Sequence, residues 1–105
     1  LDDNFRKTLR YIGEDIPKLG EALSKMLKEI EVNLDGVRDI TQDIIDYKRK
    51  LKYEHWNGLK KLYNMEIDFK SFNYLLRLMK NILLLIDKTK DFSDNLGRIA
   101  FKYRL

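Results

Sequence analysis

A chain of 105 residues, 36% charged and 44% hydrophobic, has the make-up of amphipathic helices with solvated outer faces, and its length bounds it to a single domain, 1–105. The net charge of +4 is too mild to mark a nucleic-acid binder, and the absence of cysteine excludes disulfides, thiolate chemistry and Cys-based zinc sites. One proline and five glycines give little punctuation, so long elements are expected, while the longest apolar run, Ile82 to Ile86, is far too short for a membrane span.

In chain order, Phe5, Leu9 and Ile12 fit a short amphipathic helix over 3–12. Gly13-Glu14-Asp15-Ile16-Pro17 follows, and Gly ends helices while Pro suits a first turn, so the spacing predicts a break near 13–17 with Asp15 as the cap. The apolar phase also extends back to Leu9, which makes a kink at Pro17 the alternative.

Ile16, Leu23, Ile30, Val37, Ile44 and Leu51 then recur every seven residues, with companions Leu19, Met26, Asn33, Ile40 and Tyr47. A heptad kept this long predicts one continuous helix over 16–53, with Asn33 setting the register of its seam. The competing reading breaks it at Asn33-Leu34-Asp35-Gly36 and gives a three-helix bundle. The stretch Tyr53 to Lys60 holds the only Trp and the only His, and Asn57-Gly58 is the strongest turn signal present, so a turn is placed at 54–58. In that turn Gly58 supplies positive φ and Trp56 packs across both helix ends.

A second repeat follows, with Leu62, Phe69, Leu76 and Leu83 in one row and Met65, Phe72, Met79 and Ile86 in its companion. It predicts a helix over 59–92 and a tail over 93–105. The two helices would be about 55 and 50 Å long, matched as a hairpin requires. The fold expected is therefore all-α, a long antiparallel helical hairpin of coiled-coil character. Leu75, Leu76, Leu78, Met79, Ile82, Leu83, Leu85 and Ile86 spread over about 180° of the second helix, more than the ~100° one neighbour covers. Segment 3–12 folding back would cover only part of this. A second chain completing a four-helix bundle is the expectation, its interface made by Leu75, Leu78, Met79, Ile82, Leu85 and Ile86.

Candidate chemistry is sparse. His55 has no catalytic companions and reads as a packed or solvated ring. Asp87, Asp91 and Asp94 share a helix face but lack the ligand pattern of a calcium loop, so neither metal nor other cofactor is expected. Lys48, Arg49, Lys52 and Lys60, with Lys50 and Lys61 nearby, would make one end of the hairpin electropositive and able to meet phosphates or anionic lipid head groups. No phosphate-binding glycine loop, nucleophile elbow or cleft is legible, so no enzyme activity and no small-molecule substrate are expected.

Trp56-Asn57-Gly58 between two long helices, in a chain near one hundred residues, resembles the WXG superfamily of small helical hairpins linked to type VII secretion. The resemblance covers 16–92, and its motif is those three positions. It implies a hairpin that pairs with itself or a related hairpin, acting as a secreted substrate or as a targeting partner for a larger effector. It also implies a cytoplasmic protein exported without a cleavable signal peptide. The turn lies later in the chain than is usual for that superfamily, and no Tyr-x-x-x-Asp/Glu signal follows the hairpin. The function expected is thus a non-catalytic protein–protein interaction module. The alternative is a coiled-coil fragment of a larger scaffold or membrane-trafficking protein, whose basic tip contacts anionic lipid or nucleic acid.

Overall fold

A computed structural model of the chain describes residues 3–32 and 34–102. The chain is all-helical, with α1 (Asp3–Val32), α2 (Leu34–Tyr63) and α3 (Phe69–Lys102), and no strand occurs among the described residues. The helices form a rod of 58 × 18 × 16 Å. Lys50 of α2 reaches Asp15 of α1 and Lys61 reaches Thr8, so α1 and α2 run antiparallel. His55 meets Met79 and Tyr63 meets Phe72, so α3 turns back along α2 in the same way. α2 is the middle helix: it packs along both others, which touch each other only sparsely.

Three expectations are corrected. The first is the break at 13–17, because α1 runs straight through Pro17. A proline inside a helix costs roughly 3 kcal/mol. Against that, Phe5, Ile12, Leu19 and Met26 form one buried row spanning both sides of it, while Pro17 itself faces solvent. Splitting the helix would take half of that row off α2, and burying each large apolar side chain contributes about 1.5–3 kcal/mol.

The second is the continuous helix over 16–53, since α1 ends at Val32 and α2 begins at Leu34. Asn33, assigned to the seam, lies outside the described residues. The unbroken heptad hides an exchange of rows. In α1 the fully buried row is Ile12, Leu19 and Met26, with Ile16, Leu23 and Ile30 packed at its flank. In α2 the buried row is Val37, Ile44 and Leu51, with Ile40 and Tyr47 at the flank. From Met26 to Val37 is eleven residues, seven plus four, so the two rows trade roles at the reversal. Both rows are apolar in both helices, which lets the sequence pattern run on in phase across a turn.

The third is the reversal at 54–58 and the tail over 93–105. Trp56-Asn57-Gly58 lies inside α2, and no described residue has positive φ. The chain instead turns at 64–68 and then stays helical to Lys102; residues 103–105 lie outside the described part. Asn64 closes α2, its side-chain amide donating to the Lys60 carbonyl at 2.9 Å. Met65 and Ile67 tuck against the core and cover its end. Asp68 opens α3: its carboxylate accepts the Ser71 amide N–H at 3.2 Å while its carbonyl accepts from Phe72. Hydrogen bonds from Ser71, side chain and backbone, hold that carboxyl below its ordinary pKa. Asp68→Ala should therefore destabilise the fold by about 1 kcal/mol in a urea titration, and Asp68→Asn by much less.

Candidate functional site

Two outward-facing rows carry the candidate residues, one on α3 and one on α2. On α3, Met79 and Ile86 are fully buried against α2, so these two positions of the expected partner interface are internal core. Leu75 and Ile82 are half-buried at the edge of that seam. Leu78 and Leu85 do face outward, at 41% and 48% exposure, and the row continues through Phe92 and Ile99. Spaced by seven, Leu78, Leu85, Phe92 and Ile99 form a stripe about 31 Å long on one face of the helix. Leu84, also exposed, lies beside its middle. α1 leaves this stripe open because it packs mainly on α2. The interface expected from the sequence stopped at Ile86, although the same seven-residue step from Leu85 reaches Phe92 and Ile99.

The basic residues do not make a tip; they lie along the side of the rod, and α2 points them in three directions. Lys50 and Lys61 turn to α1, Lys50 to Asp15 and Lys61 to Thr8 and the Asn4 carbonyl. Lys52 and Lys48 turn to α3, Lys52 pairing with Asp87 at 3.4 Å. Burial, reinforced by the charge of Lys90, lowers the pKa of Lys48, which sits among Lys90, Asp94 and Asp87. Only Arg49 and Lys60 of the four expected anion contacts face outward free of a carboxylate among the described residues. Trp56 faces outward with them, 58% exposed, with the Lys60 ammonium 5.8 Å from its ring centre.

Gly58 marks the point where the three helices converge. A Cβ there would lie 2.6 Å from the Met79 Cε of α3 and 3.4 Å from the Thr8 Cγ2 of α1. The glycine's use is close approach within a helix, not a turn. His55, one turn earlier, is buried and its Nε2 lies 2.7 Å from the Met79 carbonyl, to which it donates. It ties α2 to α3 rather than packing a corner.

Sequence reasoning missed one buried polar cluster. Asp15 and Glu54 are 3% and 8% exposed and share a hydrogen bond between α1 and α2. Lys50 and Lys18 bring their ammonium groups to Asp15 at 3.2 and 3.5 Å. Burial pushes the Asp15 carboxyl up, but the hydrogen bonds from Lys50 and Glu54 outweigh it and hold its pKa below the ordinary value. Burial first, then the neighbouring Asp15, pushes Glu54 up to about 7. Apart from the Lys50 ammonium beside Asp15 Oδ2, these carboxylate oxygens have no further partner, and a proton held on Glu54 would let it donate to Asp15. The signal was the placement of Asp15 in the Phe5–Ile12–Leu19 stripe, three residues after Ile12, where a solvated cap would not sit.

Asp87, Asp91 and Asp94 stay apart, Asp87 engaged by Lys52, and no grouping of three or more candidate metal ligands occurs among the described residues. Nor is any helix among them long and apolar enough to cross a membrane. Two shallow grooves occur among the described residues, one between α2 and α3 lined by Thr41, Ser93 and Arg98, the other beside Arg77 and Lys80. Comparison of the chain with protein-family models, curated proteins and solved structures returns no match.

Proposed function

We propose that the chain is a non-catalytic interaction module that pairs with a second copy of itself through the outer stripe of α3. The observation that carries this is the seven-residue row Leu78, Leu85, Phe92 and Ile99, apolar throughout and open to solvent. A helix face inside a bundle needs such a row; a solvated face does not, and contiguous apolar patches of this kind mark interaction sites.

Self-pairing is favoured over an unrelated partner by the charges beside the stripe. In an antiparallel pair centred on Leu85, Leu78 of one copy lies opposite Phe92 of the other. That arrangement sets the same flank of each helix side by side, so at its centre Arg77 comes next to Asp91 twice, with Leu84 beside Leu84 between them, while the like charges Lys70 and Arg98 meet only at the far ends. A parallel pair would instead set the charged flank of one helix against the Leu75–Ile82 flank of the other. With three helices per chain, pairing through α3 makes a six-helix assembly in place of a four-helix bundle. The narrower reading, a WXG-type type VII secretion substrate or effector-targeting partner, rests on a Trp-x-Gly corner; with Trp56 and Gly58 inside α2, it is not part of the proposal.

Sedimentation equilibrium tests it. The chain of 12.6 kDa should sediment at twice that mass in the micromolar range. Leu85→Lys sets two ammonium groups against each other on the dyad and should weaken association about a hundredfold or more, with helicity by circular dichroism unchanged. A wild-type chain that stays monomeric at hundreds of micromolar sinks the proposal.

A further inference from the structure

We infer that the outer face of α2 is a docking strip for an anionic bilayer surface. Arg49, Tyr53, Trp56, Lys60 and Tyr63 follow one another at steps of four, three, four and three residues, and so lie on a single line along the helix. All five are exposed, Tyr53, Trp56 and Tyr63 at 66, 58 and 64%. Basic and aromatic side chains alternate along about 21 Å of helix. Three large aromatic rings thus stand more than half in water on one line, with Tyr63 meeting Phe72 edge-on.

The charge of the strip is opposed only at its N-terminal end, by the exposed Asp46 one turn before Arg49, whose carboxylate accepts from Gln42. Between Arg49 and Tyr63 the one acidic residue is Glu54, which is buried on the α1 side. The other cations of this stretch are engaged: Lys50 and Lys61 with α1, Lys52 with Asp87. Arg49 and Lys60 have no carboxylate partner among the described residues, and the partner that complements them is an external anion.

Shape selects which anion. The strip runs along the outside of an elongated rod, and the shallow grooves beside Thr41 and beside Arg77 lie on other faces. Single-stranded nucleic acid is held in basic grooves that follow its backbone, and a convex line offers none. A planar surface can touch all five side chains at once. Tyr and Trp settle at the level of lipid head groups, where their apolar bodies are buried and their polar ends stay wet, while Arg and Lys meet the phosphates and carboxylates of anionic lipids. The helix would lie parallel to the surface, with no part of it crossing the bilayer. The strip lies on a different helix from the α3 stripe, so the two surfaces can be tested separately.

The experiment uses Trp56 as the chain's only tryptophan. Vesicles of phosphatidylcholine with roughly 30% phosphatidylserine should shift its emission to shorter wavelength and carry the protein upward in a flotation gradient at low salt, and pure phosphatidylcholine vesicles should do neither. Reversing both charges, Arg49→Glu with Lys60→Glu, should weaken binding at least tenfold. Trp56→Ala, scored by flotation, should weaken it several-fold. Every one of these positions is exposed, so the variants keep the fold, which circular dichroism checks. Leu85→Lys should bind vesicles as a monomer in the same orientation, with the same Trp56 shift. Absence of any shift or flotation at low salt overturns the inference, as does full binding by the charge-reversed protein. Saturable quenching by single-stranded polyuridylate without a response to anionic vesicles overturns it in favour of a base-stacking strip.

Discussion

Raising the pH from about 5 to about 8 should destabilise the wild-type fold by about 2 kcal/mol through Glu54 alone, and Glu54→Gln should remove that loss. In the folded chain Glu54 titrates near 7, against 4.5 as its ordinary value, because it is buried beside Asp15. Below pH 4.5 both folded and unfolded chains hold the proton, and its stabilisation is complete. Between 4.5 and 7 the unfolded chain releases the proton and the folded chain keeps it, so stability falls as pH rises. Above 7 both are ionised and the loss is complete. The full linkage for such a shift exceeds about 2 kcal/mol, but part of it is already lost below pH 5 and solvent at the edge of the cluster screens the rest. Asp15, with its pKa lowered, acts in the opposite sense, its contribution present above 3.8 and lost as pH falls further. Urea titrations of wild type and Glu54→Gln across this range check it: His55 is common to both proteins, so the difference isolates Glu54. Parallel pH slopes in the two would show that Glu54 does not share its proton with Asp15. The glutamine amide can donate to the Asp15 carboxylate without adding a second charge beside it, so the variant should be the more stable protein at pH 8.

Gly58→Leu should be the most damaging single change outside the large core residues, costing about 3 kcal/mol or more in the same assay. The space beyond Gly58 is filled by Met79, itself fully buried, and by Thr8. A leucine there would have to displace two helices from the third. Gly58→Ala is the informative control. Its methyl clashes with the flexible end of Met79 at 2.6 Å and touches Thr8 at an ordinary 3.4 Å, and alanine gains about 1 kcal/mol of helix propensity, so the net change should stay within about 1 kcal/mol of zero. If Gly58 instead formed a turn needing positive φ, Gly58→Ala and Gly58→Leu would be similarly harmful, and that outcome would count against the helix drawn here.

Particular residues show what could be read in advance. The helical content was legible because apolar residues at seven-residue spacing run the length of the chain, and this pattern does not depend on which helices meet. Leu78 and Leu85 could be seen as surplus to a two-helix seam for the same reason: a helix with apolar residues on half its circumference has more to cover than one neighbour covers. The turns were not legible. Asn57-Gly58 carries the best local turn signal, yet Leu51, His55, Gly58 and Leu62 all face neighbouring helices, and the contacts of this inward face outweigh a weak local preference. The actual turn, 64–68, contains neither Gly nor Pro, and its marker is the Asp68 cap. The α1–α2 reversal was masked by two rows equally apolar on both sides of it. Lys48 and Met79 looked like surface candidates because a sequence shows which residues share a face, not which face turns inward.

What the sequence determined by itself is the class and the surplus: long amphipathic helices, the absence of cysteine, and more apolar face on the last helix than one neighbour covers. Those follow from composition and periodicity, which belong to single helices. Tertiary structure decided where the chain reverses, which of two apolar rows is core, and that Trp56 stands on an outer line with Arg49 and Lys60. It also decided that Asp15 and Glu54 meet across two helices, which pushes Glu54 up to about 7. Each of these depends on the relative rotation of packed helices, and rotation is set by the summed contacts of the whole bundle rather than by any local run of residues.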